Sequence, residues 1–187
     1  NIITSISANA GFAITRQRYL VPGSSPFVPG DVRTGRVLRY PIGGSVQFSE
    51  KGGLAMSFNT VSIFRTDSLP GSVGDARAHE LTADATRSFR LPADWQMRSD
   101  LRARLAFQQT TSAAFVQNDF AAGAQSRLAD NGRRAISLNA DTEVAENLTF
   151  SLQSAQTVTF DNNLNRRITQ IVLSAILQIS FFGGQLK

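Results

Sequence analysis

Residues 97–109 read MRSDLRARLAFQQ, with Arg98, Asp100, Arg102 and Arg104 on alternate positions and Met97, Leu101, Ala103, Leu105 and Phe107 between them. On a helix these charges would spread round the whole circumference and leave no dry side. On a strand, successive side chains point to opposite faces, so the same letters sort into one charged and one apolar face. Five of the seven odd positions from Met97 to Gln109 are apolar, whereas Ala106 alone is apolar among the seven even positions from Arg98 to Thr110. The segment reads as a strand lying between two different solvents.

The same period of two recurs along the chain and predicts eight strands, over 2–19, 35–50, 53–66, 79–91, 96–116, 134–145, 147–160 and 166–182. In the first, Ile6, Ala8, Ala10, Phe12 and Ile14 alternate with Ser5, Ser7, Asn9, Gly11 and Ala13. In the seventh, Leu148, Phe150 and Leu152 alternate with Thr149, Ser151 and Gln153. The last, Ile168 to Phe182, is broken by Gln170, Ser174, Gln178 and Ser180 and is too short for a spanning helix, yet Leu173 and Leu177 fall in one unbroken apolar row at strand spacing. In the third strand the apolar register slips from Met56 and Phe58 to Val61 and Ile63, which predicts a bulge. Pro41 inside the second requires a bulge or an unpaired position.

Short turns are expected near Lys51, Pro92 and Glu146, and longer connections at 20–34, 67–78, 117–133 and 161–165. Short and long alternate, as in outer-membrane barrels with short periplasmic turns and longer outer loops, which would place both chain ends in the periplasm. Aromatic residues group at the two ends of the strands: Tyr19, Phe64, Phe115 and Phe160 toward the long connections, and Phe48, Phe89, Trp95 and Phe182 toward the short turns. Two such girdles are what membrane interfaces select.

The totals agree with a wall of this kind. The chain has 187 residues, 18% of them charged, below the roughly 25% of a typical soluble domain. Mean hydropathy is −0.11, as expected where half of each strand is polar. There is no cysteine, so neither disulfides nor thiolate metal sites are available. The net charge of +5 comes from 19 Lys and Arg residues, all arginine except Lys51 and Lys187, and they are scattered rather than massed as nucleic-acid binding would require. The chain opens at Asn1 without an initiator methionine or signal peptide, from which we expect a processed chain or a piece of a longer one.

The fold expected is therefore all-β, an antiparallel up-and-down transmembrane β-barrel of about eight strands, or an arc of a larger barrel, forming a single unit over 1–187. Leu101, Leu105, Phe107, Leu148, Phe150, Leu152, Leu173 and Leu177 should face lipid. Arg98, Asp100, Arg102 and Arg104 should line the lumen, opposite Asp141 and Glu143 of the next strand, in an Arg–carboxylate ladder that Asp84 and Arg90 could extend. No catalytic, metal or cofactor site is expected. The one histidine, His79, is followed by Glu80 and stands at the base of the 67–78 connection, where Ser68 or Ser72 would be the candidate nucleophile of a Ser–His–acid set.

Residues 130–184 also resemble the C-terminal end of SprA-type cell-surface proteins, the very large barrel translocons of type IX secretion in gliding Gram-negative bacteria. The motifs are NGR at 131–133 before a strand, ENLTF at 146–150, the TFD and RR of 159–167, and the closing ILQISFFGG. The resemblance covers about a third of the chain and contains no catalytic motif. It implies that these strands belong to the last wall segment of a giant barrel in the outer membrane, and that secreted protein cargo, accessory secretion subunits and membrane lipid are the partners, with no nucleic acid. The other readings are a self-contained eight-stranded OmpA- or OmpX-like barrel acting as anchor, adhesin or envelope structural protein, and a soluble all-β binding domain.

Overall fold

The computed structural model describes residues 2–21, 31–49, 53–69, 72–95, 97–118 and 125–180. They form one antiparallel sheet in which each strand pairs with its neighbour in sequence, an up-and-down meander. The strands are β1 (Ile2–Ala10), β2 (Ala13–Val21), β3 (Asp31–Ser49), β4 (Ala55–Leu69), β5 (Ser72–Phe89), β6 (Leu101–Asn118), β7 (Gln125–Ala145), β8 (Leu148–Asp161) and β9 (Arg166–Ile179). β1 and β2 both pair with β3, so they are two halves of one crossing strand, and eight strands cross the sheet. The all-β up-and-down class is as expected. The sheet is open: β1 and β9 are its two ends and do not pair with each other.

The break between β1 and β2 has a one-atom cause. Ala10 stands opposite Ile42 and Ala13 opposite Arg39, so the register continues unshifted across the gap. Gly11 donates its N–H to the Pro41 carbonyl at 3.0 Å. Pro41 has no N–H to return, so the pair keeps one hydrogen bond of two. This is the unpaired position that Pro41 demanded.

The bulge predicted for the third strand is absent. β4 pairs with β3 from Ser68 to Ala55 and with β5 from Ala55 to Leu69 without a shift. The apolar pattern changes face instead: Met56 and Phe58 lie on one side, Val61 and Ile63 on the other. Register shifts occur between Ile3 and Ser5, between Ala114 and Phe115, and between Glu143 and Ala145.

The connections also differ from expectation. β4 runs to Leu69 and β5 starts at Ser72, so most of the supposed 67–78 loop is hairpin. Similarly, β6 and β7 take up much of 117–133. The supposed short turn at Pro92 is instead the stretch 90–100, with a 3-10 turn over Ala93–Trp95. The rhythm of the chain therefore lies in how far strands extend and not in loop length. Residues with turn chemistry stand where the chain reverses. Asn147 takes φ 66° between β7 and β8, and Asn165 takes φ 49° before β9. The Asp161 carboxylate accepts the N–H groups of Asn163 and Leu164, each at 3.0 Å, and closes that turn.

A single layer has almost no interior. Among the described residues, Val61 is the one buried hydrophobic side chain, at 8% exposure, and Thr142 the one buried polar side chain, at 7%. Ile6, Met56, Phe58, Leu105, Ile136, Leu138, Leu173 and Leu177 are all more than 40% exposed.

Candidate functional site

In an antiparallel pair, residues directly opposite share a face, so the register sorts every strand. One face carries Ile6 and Ala8, Val46 and Ile42, Met56 and Phe58, Ala85 and Ala83, Leu105 and Phe107, Leu138 and Ile136, Leu152 and Phe150, and Leu177 and Leu173. All eight residues expected on the apolar side, including Leu101 and Leu148, fall on it. The other face carries Ser7, Ser45, Ser57, Asn59, Asp84, Thr82, Arg102, Arg104, Asn139, Asp141, Ser151 and Gln153.

The apolar belt has a limited height and a slant. It ends above at Ile14 and Leu38 on β2 and β3, yet the hydrogen-bonded row through them runs on through Phe64 to Arg77, Ala113 and Asp130. On β9 the top of the belt is Ile171. Its row runs back through Gln156, Ile136, Phe107, Ala83, Phe58 and Gly44 to Ala8, six residues below Ile14 (14 − 8). A drop of six residues at about 3.3 Å each, over seven strand steps of about 4.8 Å, tilts the strands by roughly 30° from the normal to the belt. Barrel strands tilt by about 35–45°. On β1 and β2 the belt spans Ile6 to Ile14, the nine or so residues a tilted strand needs to cross hydrocarbon.

Aromatic residues mark its margins. Phe64 packs edge-on against Tyr40, with ring centroids 6.1 Å apart. Phe115 lies under two guanidinium groups, Arg77 at 5.8 Å and Arg127 at 5.7 Å. Phe182 and the side chain of Tyr19 lie outside the described residues.

Hydrogen bonds between side chains stitch the polar face. Ser7 and Ser45 are 2.8 Å apart, Ser57 donates to Asp84 at 2.6 Å, and Ser112 donates to Asn131 at 2.7 Å. Toward the long hairpins, Asp67 takes Arg65 at 2.8 Å and Arg33 at 3.5 Å.

The expected Arg–carboxylate ladder is only partly assembled. Arg102 stands opposite Asp141 as the spacing required, but Arg104 stands opposite Asn139, and neither guanidinium makes an ion pair with a described carboxylate. Arg98 and Asp100 precede β6 altogether. The Arg98 and Ser99 N–H groups donate to the Glu143 carbonyl at 3.0 and 3.4 Å, and the Arg98 guanidinium reaches Glu146 at 3.7 Å. Thr142 donates to the Ser99 carbonyl at 3.1 Å, and the Glu143 N–H donates to Ser99 Oγ at 2.8 Å. The chain thus folds across the foot of β7 before β6 starts. Asp84 is held by Ser57, and Arg90 lies past the end of β5.

His79 lies within β5 and not at a loop base. Its Nδ1 is 3.0 Å from the Ser62 hydroxyl on β4, while Ser68 and Ser72 are paired farther up the same hairpin. Sequence spacing could not single out Ser62, because a cross-strand partner is set by register. No described carboxylate hydrogen-bonds His79, so the arrangement stops at two members. Among the described residues no cluster of His, Asp or Glu is placed to hold a metal, and no helix is long and apolar enough to cross a membrane.

No family model matches the chain, and no curated protein does. A solved structure with a similar backbone is the alcaligin outer membrane receptor FauA from Bordetella pertussis. The two share 12% identity at a TM-score of 0.48, over 94% of this chain and 31% of that receptor. The chain thus spans about a third of the length of that structure.

Proposed function

We propose that this chain is a wall segment of an outer-membrane β-barrel in a Gram-negative envelope, and an arc of a barrel wider than eight strands. The observation that carries it is the slanted apolar belt, present on one face of the crossing strands and backed by a polar face. Water would leave such a patch uncovered, with Ile6, Met56, Phe58, Leu105, Leu138, Leu173 and Leu177 all exposed, and soluble monomers rarely expose a contiguous apolar face of this kind. Hydrocarbon satisfies it, and the meander pairs the backbone along its strands apart from the Pro41 position and the three register shifts.

Two features favour the wide barrel. Both sheet ends are open, and a closed wall must pair them with something. Arg102 and Arg104 project from the polar face, and neither closes an ion pair with a described carboxylate, although Asp141 stands opposite Arg102. An eight-stranded interior is just wide enough to be filled by side chains, whereas a water-filled lumen hydrates two free guanidinium groups. The finer proposal, a protein-conducting translocon of the type IX kind with secreted cargo passing this face, rests on the sequence resemblance of residues 130–184.

The test is an immunoblot of the outer-membrane fraction with an antibody to 117–133, on boiled and unboiled samples. We expect a heat-modifiable band many times larger than 20.3 kDa. A heat-modifiable band near that mass overturns the arc, and absence from the outer-membrane fraction overturns the barrel.

A further inference from the structure

On the apolar face, the residues immediately above the belt on β2, β3 and β7 are arginines. Arg16 and Arg18 follow Ile14 on β2, and Arg36 precedes Leu38 on β3. The face continues with Arg77 on β5, Arg134 on β7 and Arg167 on β9. From β2 to β7 these positions step down as the belt does, and Arg167 stands one same-face row above Arg134.

Arg16 and Arg36 are direct cross-strand partners on this face. Like charges placed opposite each other weaken a sheet; the carboxylate in their row, Asp75, stands two strands from Arg36 and accepts the Thr66 hydroxyl at 2.9 Å rather than pairing with either arginine. No carboxylate pairs with Arg16, Arg18 or Arg36 among the described residues. At the same height on the polar face, Arg33 and Arg65 share the carboxylate of Asp67. On the apolar face the carboxylate of Asp130 is taken by Arg127, and no described ion pair reaches Arg16, Arg18 or Arg36.

The uncompensated arginines surround a recess. A hollow of about 380 Å³ is lined on the apolar face by Arg16, Arg18, Arg36, Thr34, Thr66 and Ser68; the Thr66 hydroxyl donates to Asp75, which leaves three cations and the hydroxyls of Thr34 and Ser68. At the other end of the margin, a second hollow of about 390 Å³ is lined by Arg134, Arg167 and Phe160, with Arg166 and the carboxylate of Asp161 at its rim. Guanidinium forks and hydroxyls together are the donor set that phosphate oxygens accept.

We propose that the Arg16–Arg18–Arg36 recess binds the phosphate of an anionic lipid headgroup in the leaflet that meets the long hairpins, with Arg134 and Arg167 continuing the contact along the margin. A phosphomonoester between Arg16 and Arg36 turns a cross-strand repulsion into two charge-assisted contacts. Its acyl chains lie against Ile14, Leu38 and Phe64 directly below, which is why a lipid is the fitting source of the phosphate. This site rests on the barrel reading, because only a bilayer at the belt brings headgroups to this height.

The experiment places the native polypeptide in phosphatidylcholine bilayers containing photoactivatable phosphatidylcholine or photoactivatable phosphatidic acid, and maps crosslinks by peptide mass. Phosphatidic acid should label 13–21 and 31–40 in excess over phosphatidylcholine. Arg16→Gln with Arg36→Gln should lower that excess about tenfold, the loss of one charge-assisted contact or more, while Arg39→Gln on the polar face should leave it unchanged. Inorganic phosphate should not compete. In pure phosphatidylcholine, Arg36→Gln should raise the urea midpoint of the heat-modifiable form by relieving repulsion. Equal labelling by the two lipids, an equal drop in Arg39→Gln, competition by inorganic phosphate, or a lowered midpoint in Arg36→Gln each overturns the site. Absence of any phosphatidylcholine crosslink at the belt overturns the barrel reading itself, and the site with it.

Discussion

Leu105 and Ala106 are neighbours in sequence and face opposite solvents in a barrel wall. Leu105 lies between Ala85 and Leu138 within the apolar belt and is 50% exposed in the isolated sheet. Ala106 lies between Asp84 and Ser137 on the polar face. An arginine near the bilayer midplane costs about 2–4 kcal/mol on the lipid face of a barrel. At about 1.4 kcal/mol per decade, that is roughly a 30- to 700-fold loss in the assembly equilibrium. Leu105→Arg should therefore abolish most of the folded form. Ala106→Arg gains Asp84 as a cross-strand partner, worth at most about 1 kcal/mol, and should be close to neutral. Both changes add the same side chain to the same strand, so the added charge cancels in the comparison. The assay is the fraction of the native polypeptide that keeps its unboiled mobility in the outer-membrane fraction. Equal tolerance of the two variants, or a greater loss in Ala106→Arg, would refute the face assignment.

Pro41→Val restores the missing donor opposite Gly11. It should stabilise the wall by about 0.5–1.5 kcal/mol and join β1 to β2, seen as slowed hydrogen exchange in peptides spanning 8–14 and 38–44; unchanged exchange there would count against the account of the break. Gly132→Ala should destabilise by about 1–3 kcal/mol through overpacking. The added Cβ would stand 2.6 Å from the Thr110 carbonyl oxygen and 2.5 Å from Phe160 Cζ. Because the carbonyl is backbone, Phe160→Leu should not rescue it; full rescue in urea titrations of the folded form would show that the ring alone is the obstacle.

Much of this fold is written locally. Alternation along Leu101–Phe107, Leu148–Leu152 and Ile171–Ile179 decides strand over helix and assigns each side chain to a face, because the side-chain period of a strand is a property of the backbone itself. Pro41 likewise announces its unpaired position from chemistry alone. The phase change in β4, from Met56 and Phe58 to Val61 and Ile63, is where the local pattern misleads: it suggests a bulge, while the intact ladders with β3 and β5 hold the register and place Val61 on the polar face as the most buried hydrophobic residue. Arg98 and Asp100 fit the alternation as well as Arg102 and Arg104, yet they lie in the segment that folds across the foot of β7, held by Ser99 and Glu143.

What the sequence by itself determined is the two-faced strand and its repetition along the chain. Only the tertiary structure decided which residues meet: Arg102 with Asp141, Arg104 with Asn139, His79 with Ser62 and Arg16 with Arg36. The physical reason is that a side chain's face follows from its own backbone, whereas its partner follows from register. Register is the summed outcome of every pair along two strands, and a slip by two residues leaves each strand's own alternation untouched while replacing all of its neighbours.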